Sequence, residues 1–130
     1  MSDLCHGSLP PRVVEGLELF NAGEYFEAHE ALEDAWRETR DPIRELYRGI
    51  LQAAVVYLHI SRNNYLGAIK VYLRSQKWLA DWPETCRGVN VGKLRRDLDE
   101  AVSRVRELGA DKLSQFDLGE LKPVDYDPQP

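Results

Sequence analysis

The chain is expected to fold as an all-α domain of about five helices, packed as antiparallel hairpins around a central third helix. Three observations predict this. Apolar residues recur at spacings of three and four through five successive segments, which is the period of one helix face. Proline, asparagine and glycine stand where those segments meet, as start and stop signals. No segment alternates with period two, so no sheet is expected. A length of 130 residues with 43% hydrophobic content suits one domain with its own core.

The first helix is opened by Pro10 and Pro11, the latter near its first position, and runs through Val13, Val14, Leu17, Leu19 and Phe20 until Asn21 and Gly23 stop it. The second spans Glu24 to about Thr39 and Arg40. Asp41 and Pro42 then form a cap followed by a first-turn proline, starting a third helix from Ile43 to Ile60. This third helix is apolar around most of its circumference and should lie centrally. Its one polar stripe holds Arg44, Arg48, Gln52 and His59. Asn64 is placed to cap a fourth helix that Pro83 ends near Trp82, with Tyr65, Ala68, Val71, Tyr72, Ser75, Trp78, Leu79 and Trp82 inward and Lys70, Arg74, Lys77 and Asp81 outward. A fifth, peripheral helix from about Val91 to Leu108 carries the stripe Val91, Leu94, Leu98, Ala101, Val102, Val105 and Leu108, with Gly109 as its C-cap. The expected organisation is thus a flexible N-terminus over residues 1–10, a helical domain over 11–109, and an irregular tail over 110–130 that Phe116, Leu118 and Leu121 tie down in part.

A formal net charge of -5 argues against a nucleic-acid-binding surface. No stretch approaches the about 18 uninterrupted apolar residues of a membrane span, and the N-terminus carries no export signature, so a soluble cytoplasmic protein is expected. Cys5 falls in a segment without an anchor and Cys86 follows Pro83. Two separate reduced thiols are therefore expected, not a disulfide.

Gly23-Glu-Tyr-Phe-Glu-Ala28, followed by Leu32 and Ala35, resembles the second half of a tetratricopeptide unit, and Tyr65, Ala68 and Tyr72 echo it about forty residues later. The spacing is longer than the usual 34 residues, so the resemblance implies a compact helical-hairpin domain, not a superhelical array. A tighter pattern runs from Phe20 to Leu79: His29, Glu33 and Trp36, then Gln52, Ala54 and His59, then Asn63-Asn64 with Gly67 and Ala68. It resembles the domain of unknown function 309 family of small all-helical bacterial and archaeal proteins, with its H-x-x-x-E-x-x-W helix, Q-x-A-x-x-x-x-H helix and G-N-x-x-G-A turn. Asn63 stands where that family usually has glycine. The resemblance implies a fold and no established activity.

His29 and Glu33, four residues apart, fall among Tyr25, Phe26, Leu32 and Trp36 on what should be the core-facing stripe of the second helix, opposite Glu27, Glu30, Asp34 and Arg37. Burying ionisable groups without partners is costly, so they are satisfied there or used there. The plainer reading is a buried polar network of His29, Glu33, Arg48, Gln52 and His59 between the second and third helices. The sharper one makes His29, Glu33 and His59 three ligands of a metal with an open position. Arg48 weighs against a cation, because a guanidinium there pairs with Glu33 or with an anionic ligand. His29-Glu30-Ala31-Leu32-Glu33 lacks the second histidine of a metalloprotease helix. The tryptophans Trp36, Trp78 and Trp82 are expected as packing residues, with Trp36 the one beside any pocket.

No phosphate loop, nucleophile elbow or Ser-His-Asp order is present, and no cofactor is implied. The favoured expectation is a non-enzymatic helical scaffold or ligand-binding domain, with a small metal-assisted or acid/base hydrolase using His29, Glu33 and His59 as the alternative. Partners follow the same logic: no nucleic acid, no membrane, a protein or small anionic ligand, and a homodimer if apolar surface of the third helix stays exposed. The basic row around Arg74 is a solvated face or meets an acidic partner.

Overall fold

The computed structural model describes residues 2–129. Within them five helices follow one another: α1 (Pro11–Asn21), α2 (Tyr25–Glu38), α3 (Arg44–Ser61), α4 (Tyr65–Leu79) and α5 (Val91–Lys112). The fold is all-α, as expected. α3 packs on α2 on one side and on α4 on the other, α1 covers α2, and α5 lies mainly against α4. α3 is central because nine of its residues, from Leu46 to Ile60, are buried.

The helix boundaries have local causes. Gly23 adopts φ 80°, a left-handed conformation that ends α1 at little cost. Asp41 accepts a hydrogen bond from the Ile43 amide at 3.1 Å, holding the turn before α3. Asn64 caps α4 as expected, accepting from the Gly67 amide at 3.0 Å. Asn63, just before it, has φ 60°. Asparagine tolerates this region better than most side chains, which explains how it stands in a position where glycine is usual. Gly109, at φ 72°, breaks the regular course of α5.

Three expectations need correction. The first concerns sheet structure: Thr85–Cys86 (β1) and Val89–Asn90 (β2) pair antiparallel. Strands of two residues are too short to show alternation. Their turn residues Arg87 and Gly88 both have positive φ, at 50° and 83°, which matches the two-residue hairpin class.

The second concerns the cysteines, which are joined as a Cys5–Cys86 disulfide with Cα atoms 4.4 Å apart. Arg87 holds the two segments together: its amide donates to the Cys5 carbonyl at 2.9 Å, and its side-chain Nε donates to the Leu4 carbonyl at 2.8 Å. A single arginine in the hairpin thus anchors a segment for which no sequence signal exists.

The third concerns the tail. Phe116 and Leu121 are buried but Leu118 is 52% exposed, and Val124 is buried in its stead. Asn21 clasps Val124, donating to its carbonyl at 2.9 Å and accepting from its amide at 2.8 Å. Such a clasp across the whole chain leaves no local trace in the sequence.

Candidate functional site

α2 turns a different face to the core than its large residues suggest. The buried positions are Ala28, Ala31, Leu32 and Ala35. Alanines permit close helix approach, and a Cβ at Gly16 of α1 would lie 2.7 Å from Leu32 Cγ. This contact rotates Tyr25, His29, Glu33 and Trp36 to the shoulder of α2, where all four are half-buried. His29 and Glu33 are therefore not groups sealed in the core.

The polar residues separate into distinct local pairs. His29 Nε2 is 3.6 Å from Glu33 Oε2, and Arg37 reaches the other carboxylate oxygen at 3.1 Å. His59 is joined to Asn64 instead, its Nδ1 lying 3.1 Å from Asn64 Nδ2. The amide nitrogen only donates, so His59 Nδ1 accepts and Nε2 carries the proton of the neutral ring. Burial, and secondarily the Arg62 charge, hold the His59 pKa below the ordinary histidine value. Gly67 permits this arrangement, since a Cβ there would lie 2.6 Å from Asn64 Nδ2 and 2.9 Å from His59 Cγ. Gln52 Oε1 is buried with no hydrogen-bond partner among the described residues. Among those residues no group of three or more His, Cys, Asp or Glu is arranged to hold a metal ion. Thus His29 and Glu33 come together, while Arg48, Gln52 and His59 make no hydrogen bond with them.

Arg48 belongs to a different cluster. Its guanidinium carbon lies 4.5 Å from the Trp36 ring centroid and 4.2 Å from that of Trp78. Arg44 stacks on Trp36 at 4.3 Å and donates from Nε to the Trp36 carbonyl at 3.1 Å. Glu45 ties the group together, accepting from Trp36 Nε1 at 3.1 Å and lying 3.5 Å from Arg48 Nε. The terminal Nη nitrogens of Arg44 and Arg48 hydrogen-bond to no described residue. An open groove of about 250 Å³ adjoins the cluster, lined by Leu4, Pro42, Glu45, Lys77, Trp78, Asp81 and Trp82. Trp82 itself is buried, with Nε1 donating to the Trp78 carbonyl at 2.8 Å.

Sequence reasoning singled out Trp36 and Arg48 but missed Glu45, Trp78 and Leu4 as their neighbours. One signal was available. Arg44 and Arg48 are a helical turn apart on one stripe, and Trp36 closes the preceding helix, an arrangement suited to stacked guanidiniums. The contribution of Leu4 had no such signal, because the disulfide and Arg87 place it.

Residues 13–71 match the family described as Domain of unknown function (DUF309). An uncharacterized protein of Aquifex aeolicus (strain VF5) is 30% identical over 91 residues, which cover 69% of this chain and 27% of the relative. The chain thus aligns with little more than a quarter of that protein's length. No helix is long and apolar enough to cross a membrane among the described residues.

Proposed function

We propose that this chain, which belongs through residues 13–71 to the domain of unknown function (DUF309) family, is a non-enzymatic helical binding domain that takes a small anionic ligand at its Trp36–Arg48–Trp78 corner. The supporting observation is the state of the two guanidiniums. Arg44 and Arg48 are held in place by tryptophan rings and by their Nε atoms, while their Nη donors are left over. A fixed, planar, half-buried fork of donors is suited to bidentate recognition of a carboxylate or phosphate. The adjoining groove is small for a ligand site and accepts a compact apolar or amphipathic remainder beside Trp78 and Trp82. An acid/base enzyme built on His29, Glu33 and His59 has less support, because His59 is bonded to Asn64 and only the first two meet. The Aquifex relative also carries its matching region inside a much longer chain, an arrangement compatible with a binding module.

All three tryptophans flank the site or its groove, so intrinsic fluorescence reads it directly. Titration with inorganic phosphate and with citrate should give a saturable change in emission for at least one of them. Arg48→Gln, checked by circular dichroism to be folded at the assay temperature, should lose it. An absence of saturable change with both anions, or an unchanged response in Arg48→Gln, overturns the reading.

A further inference from the structure

The outer face of α4 combines exposed leucines with an uncompensated row of bases. Leu66 and Leu73 are 67% and 58% exposed, among the few large apolar side chains the described residues leave in solvent. At about 100° per residue, Leu66, Ile69 and Leu73 share one arc of roughly 60°, and Lys77, Lys70 and Arg74 fill the adjacent arc. The two ridges are staggered, each about 10 Å long, and together they span about 16 Å, three turns of helix. From Tyr65 to Leu79 the sequence contains no Asp or Glu, although the whole chain carries a net charge of -5. Neither Lys70 nor Arg74 enters an ion pair among the described residues, and Lys77 Nζ rests over the Trp78 ring at 4.9 Å.

We infer that this face docks an amphipathic helix of a partner protein, with apolar residues spaced three and four apart and a flanking row of carboxylates. Helix-in-groove recognition uses anchors at that spacing, and the basic ridge selects an acidic partner by charge complementarity. A second copy is disfavoured by charge: this face carries bases and no Asp or Glu, so the same face of another copy offers nothing complementary to Lys70 and Arg74. An anionic bilayer is disfavoured by the acidic character of the rest of the chain. The inference does not rest on the anion site: Leu66, Leu73, Lys70 and Arg74 belong neither to the Arg48–Trp78 stack nor to the lining of the adjoining groove, and Lys77 alone is shared with that lining.

The test is a selection of helical peptides from a phage-displayed library on the intact chain. Selected sequences should be rich in Glu and Asp beside a leucine ridge. A synthetic peptide of the selected sequence should bind at least about tenfold more weakly to Leu66→Ser/Leu73→Ser and to Lys70→Glu/Arg74→Glu. Exchanging its carboxylates for lysines should restore binding to the second variant. Arg48→Gln should bind the peptide as the parent does. The Leu66→Ser/Leu73→Ser and Lys70→Glu/Arg74→Glu substitutions, all at exposed positions, should leave the melting temperature within about 2 °C of the parent. The inference is overturned by failure to enrich acidic amphipathic sequences or by affinity retained in Leu66→Ser/Leu73→Ser. It is equally overturned by a dimeric mass that becomes monomeric in that variant, or by co-sedimentation with phosphatidylglycerol vesicles that the variant abolishes.

Discussion

Arg48 Cζ lies 4.2 Å from the centroid of the Trp78 ring, and this stack joins the first half of α3 to the last turn of α4. Because Arg48 also meets Trp36 of α2, one guanidinium links three helices at the mouth of the hydrophobic core. Arg48→Ala should destabilise the chain by about 1–2 kcal/mol in urea denaturation, through loss of both ring contacts. Arg48→Lys should recover less than half of that, since an ammonium keeps the charge without the plane. Full recovery by lysine would mean that charge alone matters at this position.

The Cys5–Cys86 bond closes a loop of 81 residues in the chain. Restricting the unfolded chain over such a length contributes about 4.5 kcal/mol. Cys5→Ser/Cys86→Ser, or the parent treated with excess dithiothreitol, should melt well below the oxidised parent, and unfolded oxidised protein should show no titratable thiol. Thiol-reducing surroundings would cleave the bond, so its persistence depends on the compartment. Equal melting of oxidised and reduced protein would show that Arg87 and its hydrogen bonds to residues 4 and 5 anchor the segment unaided.

The lowered pKa of His59 sets the sign of a pH dependence. The folded state resists protonating the ring, through burial first and Arg62 second, whereas the unfolded chain protonates it near pH 6.5 (about the free value). The contribution of His59 is therefore complete above about pH 6.5 and is lost as pH falls toward the lower folded value. His59→Gln should flatten the stability profile between about pH 7 and pH 5, measured by chemical denaturation at each pH. Arg62→Gln should raise the His59 pKa in an NMR titration; no movement would leave burial as the sole cause.

At Gly49, helix propensity and packing oppose each other. Alanine is intrinsically better than glycine in a helix by about 1 kcal/mol. A Cβ there, however, would lie 2.7 Å from Leu79 Cδ2 and 3.3 Å from the Trp78 carbonyl oxygen. Leu79 is 1% exposed and has nowhere to retreat. Overpacking costs about 1–3 kcal/mol, so Gly49→Ala should be destabilising on balance. A raised melting temperature would show that α4 slides outward freely.

Much of the fold was legible because helix periodicity and punctuation are local. The helix order, the Asn64 cap, the stop at Gly23 and the central place of α3 each follow from residues close together in sequence. The family pattern is likewise contiguous, and the structure supplies a reason for part of it: Asn64 caps α4 and bonds His59, and Gly67 leaves room for both. The candidate site was legible only in fragments. Trp36 and Arg48 were found, but their grouping with Trp78 and Glu45 depends on how α2, α3 and α4 are rotated against one another. The large side chains of α2 suggested one rotation, and close packing of its alanines imposed another.

Local spacing and turn chemistry, then, determined by themselves that this protein is a bundle of five helices with a polar stripe along the third. Only the tertiary structure decided what that stripe meets. Cys5 finding Cys86, Asn21 clasping Val124 and Arg48 settling between two tryptophans are contacts between residues far apart in the chain. Such contacts exist because packing the core first brings the segments together, and no periodicity within one segment encodes which partner then lies across from it.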